Sequence, residues 1–264
     1  MALKEKESFN HITSSPQADQ VEIIYYTDPL CCWSWAMEPQ WRRLQFEFEG
    51  KINCRYIMGG LLPNWQNYND EVNSVSRPIQ MGPVWMQASH MSGMPLPDKI
   101  WMLDPPTSSY PACIAVKCVQ LQSPRIGERY LRLLREAVMI RQQNISKDVV
   151  LYNIGDELAA EQPTAFDLSR FKEDMKNDNG LEAFRSDLHQ VQTRNINRFP
   201  TFIFRYANNQ ALMMTGYRPY SALVNTLQQI APGMQQTQAA TNAEAYTQYW
   251  GSITARELEE ACRS

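Results

Sequence analysis

Residues 21–39 constrain the fold most, because a strand leads almost directly into a cysteine and then into a helix. Val21-Glu22-Ile23-Ile24-Tyr25-Tyr26-Thr27 is β-branched and aromatic with rough alternation, the pattern of a strand, and Asp28-Pro29 stops it. From Ser34 onward the period changes. Trp35, Trp41, Leu44, Phe46 and Phe48 are spread among Glu, Arg and Gln, as an amphipathic helix requires. Cys31 therefore lies at the mouth of the helix, where unpaired backbone N–H groups and the positive end of the helix dipole favour thiolate over thiol. Redox cysteines so placed titrate at roughly 3.5 to 7.5. The expectation is a Cys31 nucleophile, ionised at neutral pH. The competing reading is packing, since Cys31 and Cys32 sit beside two tryptophans and free cysteine is among the most buried residue types.

A second signal comes late in the chain, in Asn195-Ile196-Asn197-Arg198-Phe199-Pro200-Thr201-Phe202-Ile203-Phe204. Proline cannot donate to a sheet ladder, so Pro200 before so apolar a run marks strand entry or a cis turn. Lys51 to Met58 alternates and is closed by Gly59-Gly60, which predicts a strand after the first helix. Strand, helix and strand joined by a right-handed crossover open a thioredoxin-like α/β fold.

The run Asp28-Pro29-Leu30-Cys31-Cys32-Trp33-Ser34-Trp35-Ala36-Met37-Glu38-Pro39 resembles the active-site segment of the DsbA-like thioredoxin-fold family, especially its cytoplasmic FrnE-like branch. Where that family usually carries the second cysteine of Cys-x-x-Cys, this chain has Ser34, a monothiol variant. A hydroxyl cannot release a mixed disulfide by attack on it. Cys32 is a poor substitute, because consecutive Cα atoms lie about 3.8 Å apart, below the usual disulfide span. The resemblance therefore implies thiol–disulfide exchange or isomerisation through Cys31, assisted by Ser34, with glutathione or a substrate thiol resolving the intermediate. It further implies that Pro200 is the cis-proline facing the nucleophile and that the Phe199 backbone receives a peptide or glutathione as an added strand. Cys32, Trp33, Trp35 and Tyr110 join Phe199 and Pro200 as expected substrate contacts, and Cys113 is a candidate distant thiol. Two other activities fit the same resemblance. One is a kappa-like glutathione transferase or small-molecule isomerase, and the other is a non-catalytic DsbA-like adaptor.

Helical periodicity fills the middle of the chain. Ser109 to Gln122 reads as a buried helix with Ser109 as cap and Pro111 in its first turn, and residues 126–141, 146–160 and 167–192 continue the pattern. The fold class is thus α/β, thioredoxin-like, with an all-helical insertion. Its expected divisions are a flexible leader at 1–20, thioredoxin segments at 21–61 and 191–231, the insertion at 62–190, and a linker with C-terminal helices at 232–264. Thr254-Ala255-Arg256-Glu257 has capping-box spacing.

Composition narrows the partners. A net charge of −3 with no basic stretch argues against nucleic acid, and the polar first twenty residues lack the apolar run of a signal peptide or membrane anchor, so a cytoplasmic location is expected. Six cysteines without a Cys-x-x-Cys pair, and three scattered histidines, give no metal motif. Expected partners are protein or peptide thiols and disulfides, or glutathione, which enters as a co-substrate rather than a tightly bound cofactor.

Overall fold

The computed structural model describes residues 20–207, 210–240 and 242–263, so the expected leader at 1–20 lies almost wholly outside the described residues. Four strands form one sheet in the order β2-β1-β3-β4. β1 (Val21–Thr27) is central and buried along nearly its whole length, pairing parallel with β2 (Ile52–Met58) and antiparallel with β3 (Thr201–Tyr206). Burial on both faces explains why the run from Ile23 to Tyr26 is apolar, while Glu22 at the strand's start is only half-buried. β4 (Gln210–Thr215) adds to β3 at the edge. Parallel strands need a crossover, supplied here by α1 (Cys32–Ala36) and α2 (Glu38–Glu47). The expected single helix breaks at Met37, because Pro39 sits in the first turn of α2 and lacks the N–H to continue α1.

Between β2 and β3 the regular elements are helical, as the sequence pattern requires. They are α3 (Met81–Ser92), α4 (Ile100–Leu103), α5 (Tyr110–Gln120), α6 (Pro124–Met139), α7 (Asp148–Glu161), α8 (Leu168–Asp174) and α9 (Asn179–Thr193). The pattern expected over 167–192 is two helices, divided at Met175–Asp178. α10 (Tyr220–Ile230) follows β4 and packs against α2 and β3, and α11 (Ala243–Trp250) and α12 (Ala255–Ala261) end the chain.

One apolar core joins both parts. Tyr25 stacks on Phe202 at 4.3 Å and meets Trp41 edge-on at 5.2 Å, while α5 packs between α6 and α9. The C-terminal pair is docked on the body. Phe46 of α2 meets Tyr246 edge-on at 5.2 Å, and α12 packs along α2 with the expected capping box formed: the Glu257 N–H donates to Thr254 Oγ1 at 3.2 Å and the Thr254 N–H to Glu257 Oε2 at 2.6 Å. No described helix is long and apolar enough to cross a membrane.

Candidate active site

β1 ends at Thr27, and the next four residues carry the chain over the carboxyl end of the sheet to Cys31, the N-cap of α1. The turn is held by Asp28, which is fully buried. Its Oδ1 accepts the Leu30 N–H at 2.8 Å, and its Oδ2 accepts the Leu61 N–H at 2.7 Å, the Ser109 hydroxyl at 2.9 Å and the Cys113 thiol at 3.3 Å. One carboxyl thus ties the end of β1, the loop after β2 and the start of α5 together. Burial pushes its pKa up against those four donors. Cys113 is raised too, by burial first and by the neighbouring Asp28 carboxylate second. The candidate distant thiol is therefore bonded to Asp28.

The Cys31 sulfur accepts the Ser34 N–H at 3.4 Å, and its own proton is directed to the Phe199 carbonyl at 3.7 Å. Phe199-Pro200 is cis. The site is thereby closed from the β3 side, and Cys31 is only 4% exposed. That burial corrects the expected ionisation. Burial pushes the Cys31 thiol up; the Ser34 side chain and N–H and the Arg135 guanidinium oppose it, and the Asp28 carboxylate adds to it. α1 has five residues, too few for a full macrodipole to offset desolvation.

The other expected contacts divide into two groups. Trp33, half-buried, faces Tyr217 with ring centroids 6.3 Å apart, and Tyr217 accepts a hydrogen bond from Gln40 at 3.2 Å. Beyond Tyr217 opens a cavity of about 440 Å³ lined by Gln40, Met91, Tyr220, Arg256 and Glu260 among others. Tyr110, also half-buried, meets Phe184 edge-on at 5.0 Å. Trp33, Tyr110 and Phe199 keep exposed surface, whereas Cys32, Trp35 and Pro200 are buried. Trp35 is a packing residue here, since its indole N–H donates to the Pro95 carbonyl at 2.9 Å and Arg132 lies 4.6 Å over its ring. Cys32 is inward-facing, and its thiol is held well up by burial and by Cys31 beside it. Gly59 is where backbone must come close, because a Cβ there would fall 2.1 Å from the tip of the Phe199 ring.

Behind Ser34 lies a buried charge cluster. Thr27 Oγ1 lies 2.8 Å from Ser34 Oγ and accepts from the Arg135 guanidinium, which also pairs with Glu38. Glu38 takes Arg132 at 3.0 Å, and Arg132 holds Glu257 of α12 through two bonds of 2.6 and 2.9 Å. Arg42 completes the set on Glu257 at 2.7 Å. Sequence reasoning did not find Asp28, Thr27 or Arg135 as site residues. Asp28 read as a strand stop, and Arg132 and Arg135 fall within the helical period at 126–141, which by itself marks neither as a site residue. Among the described residues no group of three or more His, Cys, Asp or Glu side chains converges as a metal site would.

Comparison with known proteins fixes the family. The family described as Thioredoxin matches residues 25–225. The chain belongs to it. Within that family the helical insertion between β2 and β3 makes it DsbA-like. The chain is 28% identical over 240 residues to the ClpXP adapter protein SpxH of Halalkalibacterium halodurans, spanning 90% of this chain and 76% of the relative. Its fold is similar to that of a candidate protein disulfide isomerase of Nitrosomonas europaea, with a TM-score of 0.64 at 20% identity over 80% of this chain and 97% of the other. It is similar as well to the cytosolic disulfide reductase DsbM of Pseudomonas aeruginosa, with a TM-score of 0.60 at 17% identity over 80% of this chain and 100% of the other; DsbM has also been solved with GSH. None of these three is named for the FrnE-like branch.

Proposed function

We propose that this thioredoxin-family protein works as a DsbA-like adapter that binds a client protein and presents it to a protease of the ClpXP kind. The observation that carries the reading is the state of Cys31: a thiol 4% exposed, directed to the Phe199 carbonyl and pushed up by burial, with Ser34 in the position of a resolving cysteine. A site built this way lacks the exposed thiolate that disulfide exchange needs. The adapter relatives, matched across nine-tenths of the chain, support the same choice. Client contact is assigned to the half-buried aromatic residues Trp33, Tyr217, Tyr110 and Phe199, each of which keeps part of its surface exposed. Aromatic side chains are what protein-binding surfaces concentrate.

The test is ATP-dependent degradation by purified ClpXP of a protein that binds this chain, with and without the chain present. Stimulated degradation that survives Cys31→Ala is expected, with no glutathione-dependent reduction of a mixed-disulfide substrate. Degradation indifferent to the chain, together with a reductase activity lost in Cys31→Ala, would refute the adapter reading.

A second reading has its own observation. The Ser34 N–H lies on the Cys31 sulfur, and a buried arginine stands behind the Ser34 hydroxyl. These are supports for a thiolate once a partner opens the site, and they favour monothiol exchange in which glutathione resolves the mixed disulfide with the client.

A further inference from the structure

Arginine carries five N–H donors and no acceptor, whereas a hydroxyl carries one proton and two lone pairs. That asymmetry gives the buried contacts behind Cys31 a direction. Arg135, 1% exposed and anchored by Glu38, donates to Thr27 Oγ1, so Thr27 is an acceptor on that side. The Thr27 proton is then free for its other close neighbour, Ser34 Oγ, 2.8 Å away. With a lone pair of Ser34 occupied by Thr27, the Ser34 proton has two polar neighbours left, the Tyr25 hydroxyl and the Cys31 sulfur, and the sulfur already accepts the Ser34 N–H at 3.4 Å.

We propose that Arg135 is a positioning residue for Cys31: by donating to Thr27 Oγ1 it turns the Thr27 hydroxyl onto Ser34 Oγ and so commits the Ser34 proton to the Cys31 sulfur. Serine at this position is then a fixed hydrogen-bond donor to the thiolate. The Ser34 side chain heads the influences that hold the Cys31 thiol down against burial, and Arg135 itself contributes in the same sense. The far end of the relay is on the C-terminal helix, because Glu38 is shared between Arg135 and Arg132, and Arg132 is gripped by Glu257. This inference concerns the thiol and does not depend on the identity of a client.

Other groups that face this corner are accounted for. Asp28 at the end of β1, Cys32 in α1 and Tyr68 in the loop after β2 share the field of Cys31. The Tyr25 hydroxyl is buried near Thr27 and Ser34, has no partner in bonding geometry, and stays protonated because burial pushes its pKa up to about 12. It competes for the Thr27 proton and for the Ser34 proton alike, which is why Tyr25→Phe is among the variants below.

The experiment is the pH profile of iodoacetamide alkylation at Cys31, read by mass spectrometry of its peptide in a Cys32→Ala background. Thr27→Val removes the relay hydroxyl and keeps the shape, and Thr27→Ser restores it. A hydrogen bond to a charged group is worth about one pH unit or more. Thr27→Val is therefore expected to raise the Cys31 midpoint by about that much, with alkylation below the midpoint slowed roughly tenfold. Thr27→Ser and Tyr25→Phe should keep the parent midpoint. In Ser34→Ala protein, Thr27→Val should add nothing, since Thr27 acts only through Ser34. Far-ultraviolet circular dichroism of each variant certifies the fold, and Thr27→Ser serves where Thr27→Val fails it, its midpoint having to match the parent. An unchanged midpoint in folded Thr27→Val, an equal shift in the Ser34→Ala background, or a shifted midpoint in Thr27→Ser would overturn the relay. Alkylation needs neither client nor turnover, so failure here is separate from failure of the adapter reading.

Discussion

Glu257 offers the clearest quantitative handle on how the C-terminal helix is joined to the rest of the protein. Its side chain is fully buried between Arg132 and Arg42. Burial alone would push the carboxyl up, but Arg132, Arg42 and the Thr254 N–H outweigh it and bring the pKa from 4.5 to about 2. At 1.36 kcal/mol per pH unit, that drop is worth about 3 kcal/mol. Because the folded value lies below the unfolded one, this stability is fully present above about pH 4.5 and is lost as pH falls towards 2. Glu257→Gln keeps the shape and the capping acceptor but leaves two buried guanidinium groups short of a counter-charge, a change that costs about 3–5 kcal/mol in comparable sites. The assay is urea unfolding by tryptophan fluorescence, from pH 7 down to pH 2.5, for both proteins. The wild-type advantage should be about 3 kcal/mol at neutral pH and should shrink steadily below pH 4.5. A gap that is the same at pH 7 and pH 3, or below about 1 kcal/mol throughout, which is the range of an exposed pair, would show that the buried cluster does not hold α12 in this way.

Further outcomes follow from the site itself. Gly59→Ala places a Cβ 2.1 Å from the tip of the Phe199 ring, the far end of a half-buried side chain that can swing aside while the backbone carbonyl facing the Cys31 thiol stays in place; the melting temperature and the rate of Cys31 alkylation at fixed pH should both change little, and a several-fold faster alkylation would show that the ring itself covers the thiol. Asp28→Asn puts an amide among the four donors that converge on one carboxyl. At least one buried donor then faces a donor, so thermal unfolding should show a loss of about 1–3 kcal/mol.

Much of this architecture was legible in the sequence because it rests on local pattern. The β-branched run at 21–27, the Pro200 strand entry, the capping box at Thr254 and the helical periods of the insertion each depend on neighbours a few residues apart. The resemblance carried by Asp28 to Pro39 led to the DsbA-like fold. What the pattern could not show is what each side chain meets across the fold. Arg132 and Arg135 sit among Leu131, Leu133 and Leu134, and beyond the local pair of Arg132 with Glu136 their burial is compensated by Glu38 and Glu257, 94 to 125 residues away in sequence. The Cys31 pKa failed as an expectation for the same reason. Position at a helix start is local and visible, whereas enclosure by Phe199, 168 residues on, is not. Trp35 looked available because it adjoins the cysteine pair, yet Pro95 and Arg132 close over it.

The most direct measurement of the central claim is the pH dependence of Cys31 alkylation in the wild-type site, made alongside glutathione-dependent reduction of a mixed disulfide, with Cys31→Ala as control. A buried thiol of an adapter should titrate above the ordinary cysteine value, react slowly at neutral pH and give no turnover that Cys31→Ala abolishes. A midpoint well below 8 with turnover lost in Cys31→Ala would contradict that claim and make the protein a monothiol oxidoreductase.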